Sequence, residues 1–215
     1  MSNLPMDLKE IAPSKPNETG AVNIQGHIKI YDPVSQEVFI NKRNAIHYEN
    51  FSIALADSIA NQDKGTIAEM VFGKGGTRVD ATGIITYLTP NTVGSGAALY
   101  EQTYYKTVDA KKESSLDPSR NFMETRHIAG AKYSDVLISC LLDFGEPYGQ
   151  LAFDNETNSE GNFVFDELGL RSFSPDGPNT GLLLTHVIFH PVQKSLNRMI
   201  QVDYTIRIQS LSSGN

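Results

Sequence analysis

From residue 26 onward, apolar and polar positions alternate mostly with period two. His27-Ile28-Lys29-Ile30-Tyr31 alternates, Asp32-Pro33-Val34-Ser35-Gln36 has turn chemistry, and Glu37-Val38-Phe39-Ile40 resumes β character, which predicts a hairpin. The clearest case lies near the end of the chain. There Ile200, Val202, Tyr204, Ile206 and Ile208 share one face, while Met199, Gln201, Asp203, Thr205 and Arg207 share the other, as in a half-buried antiparallel strand. Residues 133–144 place Val136, Ile138, Cys140, Leu142 and Phe144 together, opposite a mixed face. Residues 67–72, 84–88, 99–108, 122–128, 163–170 and 182–190 read as further strands between turn signals, and Pro191 to Arg198 reads as the link between the last two strands.

One stretch breaks this rhythm. Residues 44–62 carry Tyr48, Phe51, Leu55 and Ile59 at helical spacing behind Asn44, a candidate N-cap, which predicts a helix packed on a sheet by that stripe. The predicted fold is therefore mainly β, an antiparallel β-sandwich with one inserted α-helix and an extended N-terminal arm. Residues 1–24 hold Pro5, Pro13 and Pro16 among Leu4, Met6, Leu8 and Ile11, which reads as an assembly arm; residues 25–210 read as a single β-sandwich domain.

Composition narrows the function. Among 215 residues, 25 are acidic and 18 basic, for a formal charge of −7. That balance argues against nucleic-acid binding by phosphate neutralisation. The single cysteine rules out an intrachain disulfide, and no ligand spacing for structural zinc occurs. The expectation is no membrane partner, since no apolar run approaches the ~20 residues of a bilayer span.

Each candidate for chemistry has a structural reading that outweighs it. Phe72-Gly73-Lys74-Gly75-Gly76-Thr77 could cradle an anion on backbone N–H groups, but lacks the spacing of a phosphate loop or dinucleotide fingerprint and reads as a tight turn. Asp154, Glu156, Asn158 and Glu160 alternate as oxygen ligands in calcium loops do, yet the EF-hand Gly and Glu positions hold Ser159 and Phe165. His186 and His190 share a strand face but stand ~13 Å apart, too far for one metal, and read, with His27, His47 and His127, as surface or interface residues. Cys140 falls on an apolar face, where a thiol is poorly reactive. Asp166 and Glu167 are adjacent in a strand and should point to opposite sides. Tyr100, Tyr104, Tyr105 and Lys106 could stack on bases or sugars, but read as filling a sandwich or an interface. The expectation is no catalytic, cofactor-binding or metal residue, no cofactor and no enzymatic activity.

The order of signals carries a resemblance. A hairpin, an Asn-led helix, Phe72-Gly73-Lys74-Gly75-Gly76-Thr77, Phe165-Asp166-Glu167-Leu168-Gly169-Leu170, then LLLTHVIFHPVQKS and the closing YTIRIQ resemble virion proteins of tailed bacteriophages. The cadence is similar to fibre-attachment domains and to neck or tail proteins of T4-like phages of cyanobacteria, over about residues 26–209. No shaft repeats or receptor-binding tip follow, so the resemblance implies an attachment module alone. It implies a structural protein of the neck or collar, tail or baseplate, located in the virion after synthesis in the host cytoplasm. It implies a homo-oligomer whose partners are other virion proteins. Two alternatives stand beside it: a capsid decoration protein, and a carbohydrate-binding β-sandwich module stacking on Tyr100, Tyr104, Tyr105 and Tyr133. A hydrolase built on surface carboxylates has no spatial argument in its favour.

Overall fold

The computed structural model describes residues 20–108, 120–148 and 162–212. Within them run β1 (Gly20–Tyr31), β2 (Val38–Ile46), α1 (Tyr48–Ile59), a single 3-10 turn (Asp63–Gly65), β3 (Ile67–Gly73), β4 (Thr77–Val79) and β5 (Ile85–Tyr87). They are followed by β6 (Gln102–Thr107), β7 (Phe122–His127), β8 (Tyr133–Leu142), β9 (Asn162–Ser172), β10 (Leu183–Ser195) and β11 (Ile200–Ser212).

All strand pairings are antiparallel, and nine strands follow one another in the order β6-β3-β9-β10-β2-β1-β11-β8-β7, with β4 and β5 forming a separate hairpin. The sheet is strongly curled, in keeping with a β-sandwich-like fold. Strand β2 makes the link between layers: its Lys42 and Asn44 pair with Ile28 and Gly26 of β1, then its last two residues, Ala45 and Ile46, pair with His186 and Thr185 of β10. Between the layers, Ile28, Ile30, Ile138, Cys140, Leu142, Ile200, Val202, Tyr204 and Ile206 meet Met70, Phe72, Phe163, Phe165, Leu168, Leu170 and Phe189 in one core cluster. The predicted inner face of β11 is therefore the observed one, with Ile208 partly buried at its end. Edge-to-face rings tighten this core, Phe165 lying 5.3 Å from Phe72 and 5.8 Å from Phe189.

Five local expectations change. The helix starts at Tyr48, not Asn44, because Ala45 and Ile46 are held in β2 by pairing with β10. His47 caps it: its ring Nδ1 accepts from the Asn50 N–H at 3.2 Å, which leaves Nε2–H to donate to the Gly94 carbonyl at 2.9 Å. The buried face is His47, Asn50, Phe51 and Ala54, whereas Tyr48 is 67% exposed and Ile59 80% exposed. The stripe expected to pack thus contributes only Phe51 fully; the docking is set instead by polar contacts, with the Asn50 side-chain amide donating to the Leu183 carbonyl and the His47 N–H to the Leu184 carbonyl.

Strand β8 stops at Leu142, so Phe144, expected in the core, sits exposed in the turn that follows. Strand β10 runs on through Pro191 to Ser195, where a link was expected. Its register against β9 shifts between Ile188 and Val192, and a proline, lacking an N–H, is tolerated at such an irregularity. Finally, β1 begins at Gly20 and pairs with Ser212, so residues 20–24 of the segment read as an arm belong to the sheet. Residues 1–19 lie outside the described residues.

Candidate functional site

The densest polar constellation is built on β9, where the strand alternation breaks. Phe165 and Leu168 are three apart, yet both belong to the core cluster. The intervening Asp166 and Glu167 both reach the same loop, contrary to the expectation that neighbours in a strand serve opposite sides. That loop is the glycine-rich run after β3. Asp166 accepts from the backbone N–H groups of Gly76 and Thr77, both at 2.8 Å, and from the Thr77 hydroxyl. Glu167 accepts from Gly75 at 3.1 Å, Tyr100 at 2.9 Å and Glu101 at 2.8 Å.

A fourth donor to Glu167 comes from β10. His186 Nε2 lies 2.9 Å from its carboxylate, and neither side chain has any exposed surface. The His186 Nδ1 accepts from the Asn91 N–H at 2.8 Å. An acceptor role at Nδ1 places the ring proton on Nε2, so the imidazole is neutral and donates to an ionised Glu167. The Tyr100 ring packs beside it, 5.8 Å between centroids. His186 had read as a surface or interface residue; pairing in the sheet beside β2 and cover by residues 91–101 bury it instead.

Burial by itself pushes both carboxyls up, and the outcome differs by donor count. For Glu167 the His186 bond and three backbone N–H groups outweigh burial and hold the carboxyl below its ordinary range. For Asp166 burial prevails over the Thr77 and Gly76 bonds, and the adjacent Glu167 charge adds to it, so its carboxyl is raised. Glycine is required where these groups meet: a Cβ at Gly73 would stand 2.4 Å from Glu167 Oε1 and 2.6 Å from the Glu101 carbonyl.

The arrangement is an anion cradle already filled. The N–H groups that a phosphate would need are taken by the protein's own carboxylates, and the His–Glu pair has each nitrogen engaged, with no open side for a substrate. Its chemistry is structural: two carboxylates tie the loops at residues 73–77 and 91–101 to β9 and β10. The sequence marks Gly75, Gly76 and Thr77 as a tight turn but not their partners, which lie 89 to 92 residues away.

The other singled-out residues are dispersed. Cys140 has no exposed surface, and burial pushes its thiol up to about 12. His190 is exposed and touches the Tyr87 hydroxyl at 3.3 Å; His127 touches the Tyr133 carbonyl. Tyr104 lies in the core against Phe72 and Phe163, and Tyr105 packs on the small cluster of Val71, Leu99 and Leu183. Tyr133 on β8 lies under Arg207 of the neighbouring strand β11, 3.9 Å from ring centre to guanidinium. Only Tyr100 of the four tyrosines is exposed, so they form no common stacking platform. Lys106 donates to the Leu141 carbonyl and pairs with Glu146 at 2.6 Å. Lys194 is fully buried, held by the Ser195 carbonyl at 2.8 Å, and burial lowers its ammonium to about 8. Its position was legible in principle, since it shares strand parity with the core residue Val192. The alternating oxygens at 154–160 lie outside the described residues. Among the described residues, no cluster of three or more His, Cys, Asp or Glu could hold a metal ion. No helix among them is long and apolar enough to cross a membrane.

Comparison of the chain with models of protein families, with curated proteins and with solved structures finds no match.

Proposed function

We propose that this chain is a structural protein of a tailed bacteriophage particle, assembling through protein–protein interfaces in the neck or collar, tail or baseplate, as an adaptor on which fibres attach. The observation that carries the reading is the clamp. Its two halves, Phe72 to Thr77 and Phe165 to Leu170, are two of the segments on which the resemblance to virion proteins rests. Here they lock together through Gly75, Gly76, Thr77, Asp166 and Glu167. Segments that would be ordinary alone thus act as one structural unit, as expected if they mark a common architecture and not a chance run of turns.

The β4–β5 hairpin, paired separately from the main sheet and packed beside β10, leaves Val79, Ile84 and Tyr87 exposed, and α1 turns Tyr48 and Ile59 outward. On this reading the mechanism is complementarity between surfaces, the segment preceding β1 is an arm for a neighbouring subunit, and the polar groups of the core hold loops in place.

The test is the genetic setting followed by activity screening. Genes for portal, tube, sheath or capsid proteins on either side are the expected result, together with no turnover of esterase, glycosidase, nuclease or phosphatase substrates. Turnover that disappears on substitution of one residue would overturn the reading.

A further inference from the structure

Strand β7 closes one edge of the sheet. It pairs with β8 from Phe122 opposite Ser139 to His127 opposite Ser134, and its other edge faces no strand among the described residues. Two of the devices that protect such an edge are missing from it: there is no proline between Phe122 and His127, and its register with β8 has no bulge; the device it does carry is charge, on Glu124 and Arg126. Glu124, Thr125, Arg126 and His127 are all exposed, so both faces of the strand are uncovered at this end.

The charges on this strand select its own copy as the partner. Glu124 and Arg126 sit on the same face, two residues apart, and pair with each other at 2.5 Å. When two such strands run antiparallel about a two-fold axis normal to the sheet, residues of the same parity stand opposite each other. With Thr125 facing Thr125 of the second copy, Glu124 of each strand faces Arg126 of the other, at the ~5 Å spacing of cross-strand neighbours. A shift of one pair either way sets Glu124 against Glu124 or Arg126 against Arg126, which is repulsive. The strand therefore specifies both partner and register.

We infer that β7 is a self-association edge, through which two copies of this chain join their sheets antiparallel about Thr125, with two Glu124–Arg126 pairs across the joint. The interface is isologous, the same patch serving both subunits. It stands on the edge itself and does not depend on the particle reading.

Sedimentation velocity on the full chain tests it, using Glu124→Arg, Arg126→Glu and their equimolar mixture, with circular dichroism to verify folding. The unaltered chain is expected to sediment as a dimer. Each variant alone, with like charges opposed, is expected to be monomeric. The mixture is expected to recover a dimer: the first variant is positive at both positions and the second negative at both, so only unlike charges meet across the joint. A monomeric unaltered chain overturns the inference, as do single variants that remain dimeric or a mixture that stays monomeric. A monomer would leave incorporation into particles untouched, so the two readings fail separately.

Discussion

His186 donates its Nε2 proton to Glu167 across 2.9 Å with neither side chain exposed, and the Asn91 N–H on Nδ1 fixes that direction. Replacing Glu167 with Gln removes the charge and turns a donor amide toward backbone N–H groups that need an acceptor. Leaving a buried donor without its charged acceptor costs about 1 to 3 kcal/mol. Glu167→Gln should therefore lower the urea midpoint by that equivalent and raise amide exchange at Gly75, Tyr100 and Glu101. Unchanged exchange at those amides would contradict the clamp.

The helix face gives a paired prediction. Phe51 is buried and Ile59 is 80% exposed, although both belong to the stripe read from the sequence. Phe51→Ala should destabilise by about 3 to 5 kcal/mol, and Ile59→Ala should stay within about 0.5 kcal/mol. Equal losses in thermal unfolding would restore the original stripe.

In the middle of β11, Ile206 has no exposed surface and pairs with Gly26 on one side and Val136 on the other. Ile206→Ala should cost about 2 to 5 kcal/mol, measured as a lower denaturant midpoint at constant slope.

Acid titration has a definite sign. Asp32 is held below its ordinary range because backbone bonds from Ser35 and Val34, with Arg198, outweigh its burial; Asp135 is held low chiefly by its two bonds to Arg207. With Glu167, these carboxylates contribute stability that is present above the unfolded value of about 4 and lost as pH falls through their lower folded values. Asp166, raised by burial, works in the opposite sense and gains as pH falls. Stability should decline from about pH 4 downward, and Asp135→Asn should flatten that decline. An identical slope in urea titrations of this variant would remove Asp135 from the account.

How far the sequence reached is clear from these residues. Period-two alternation located the core faces of β8 and β11 because one wrong step would have exposed every apolar side chain of a strand. It failed where tertiary pairing overrides local pattern. Ala45 and Ile46 join β10 and delay the helix, and the break between Phe165 and Leu168 sends two neighbouring carboxylates to one loop. The His186–Glu167 pair was not legible, since it depends on the register of two strands and on a loop whose conformation no local period encodes. Cys140 was read correctly as a buried thiol because its strand parity alone decides its side.

The central proposal, a structural role in a tailed phage particle, is tested most directly by mass spectrometry of density-purified particles from the lysate that encodes this chain. The account predicts peptides of this protein in the particles, in fixed proportion to the portal and tail proteins through successive purifications. Its absence from the particles, or a ratio that falls with each purification step while the portal and tail proteins remain, would contradict it.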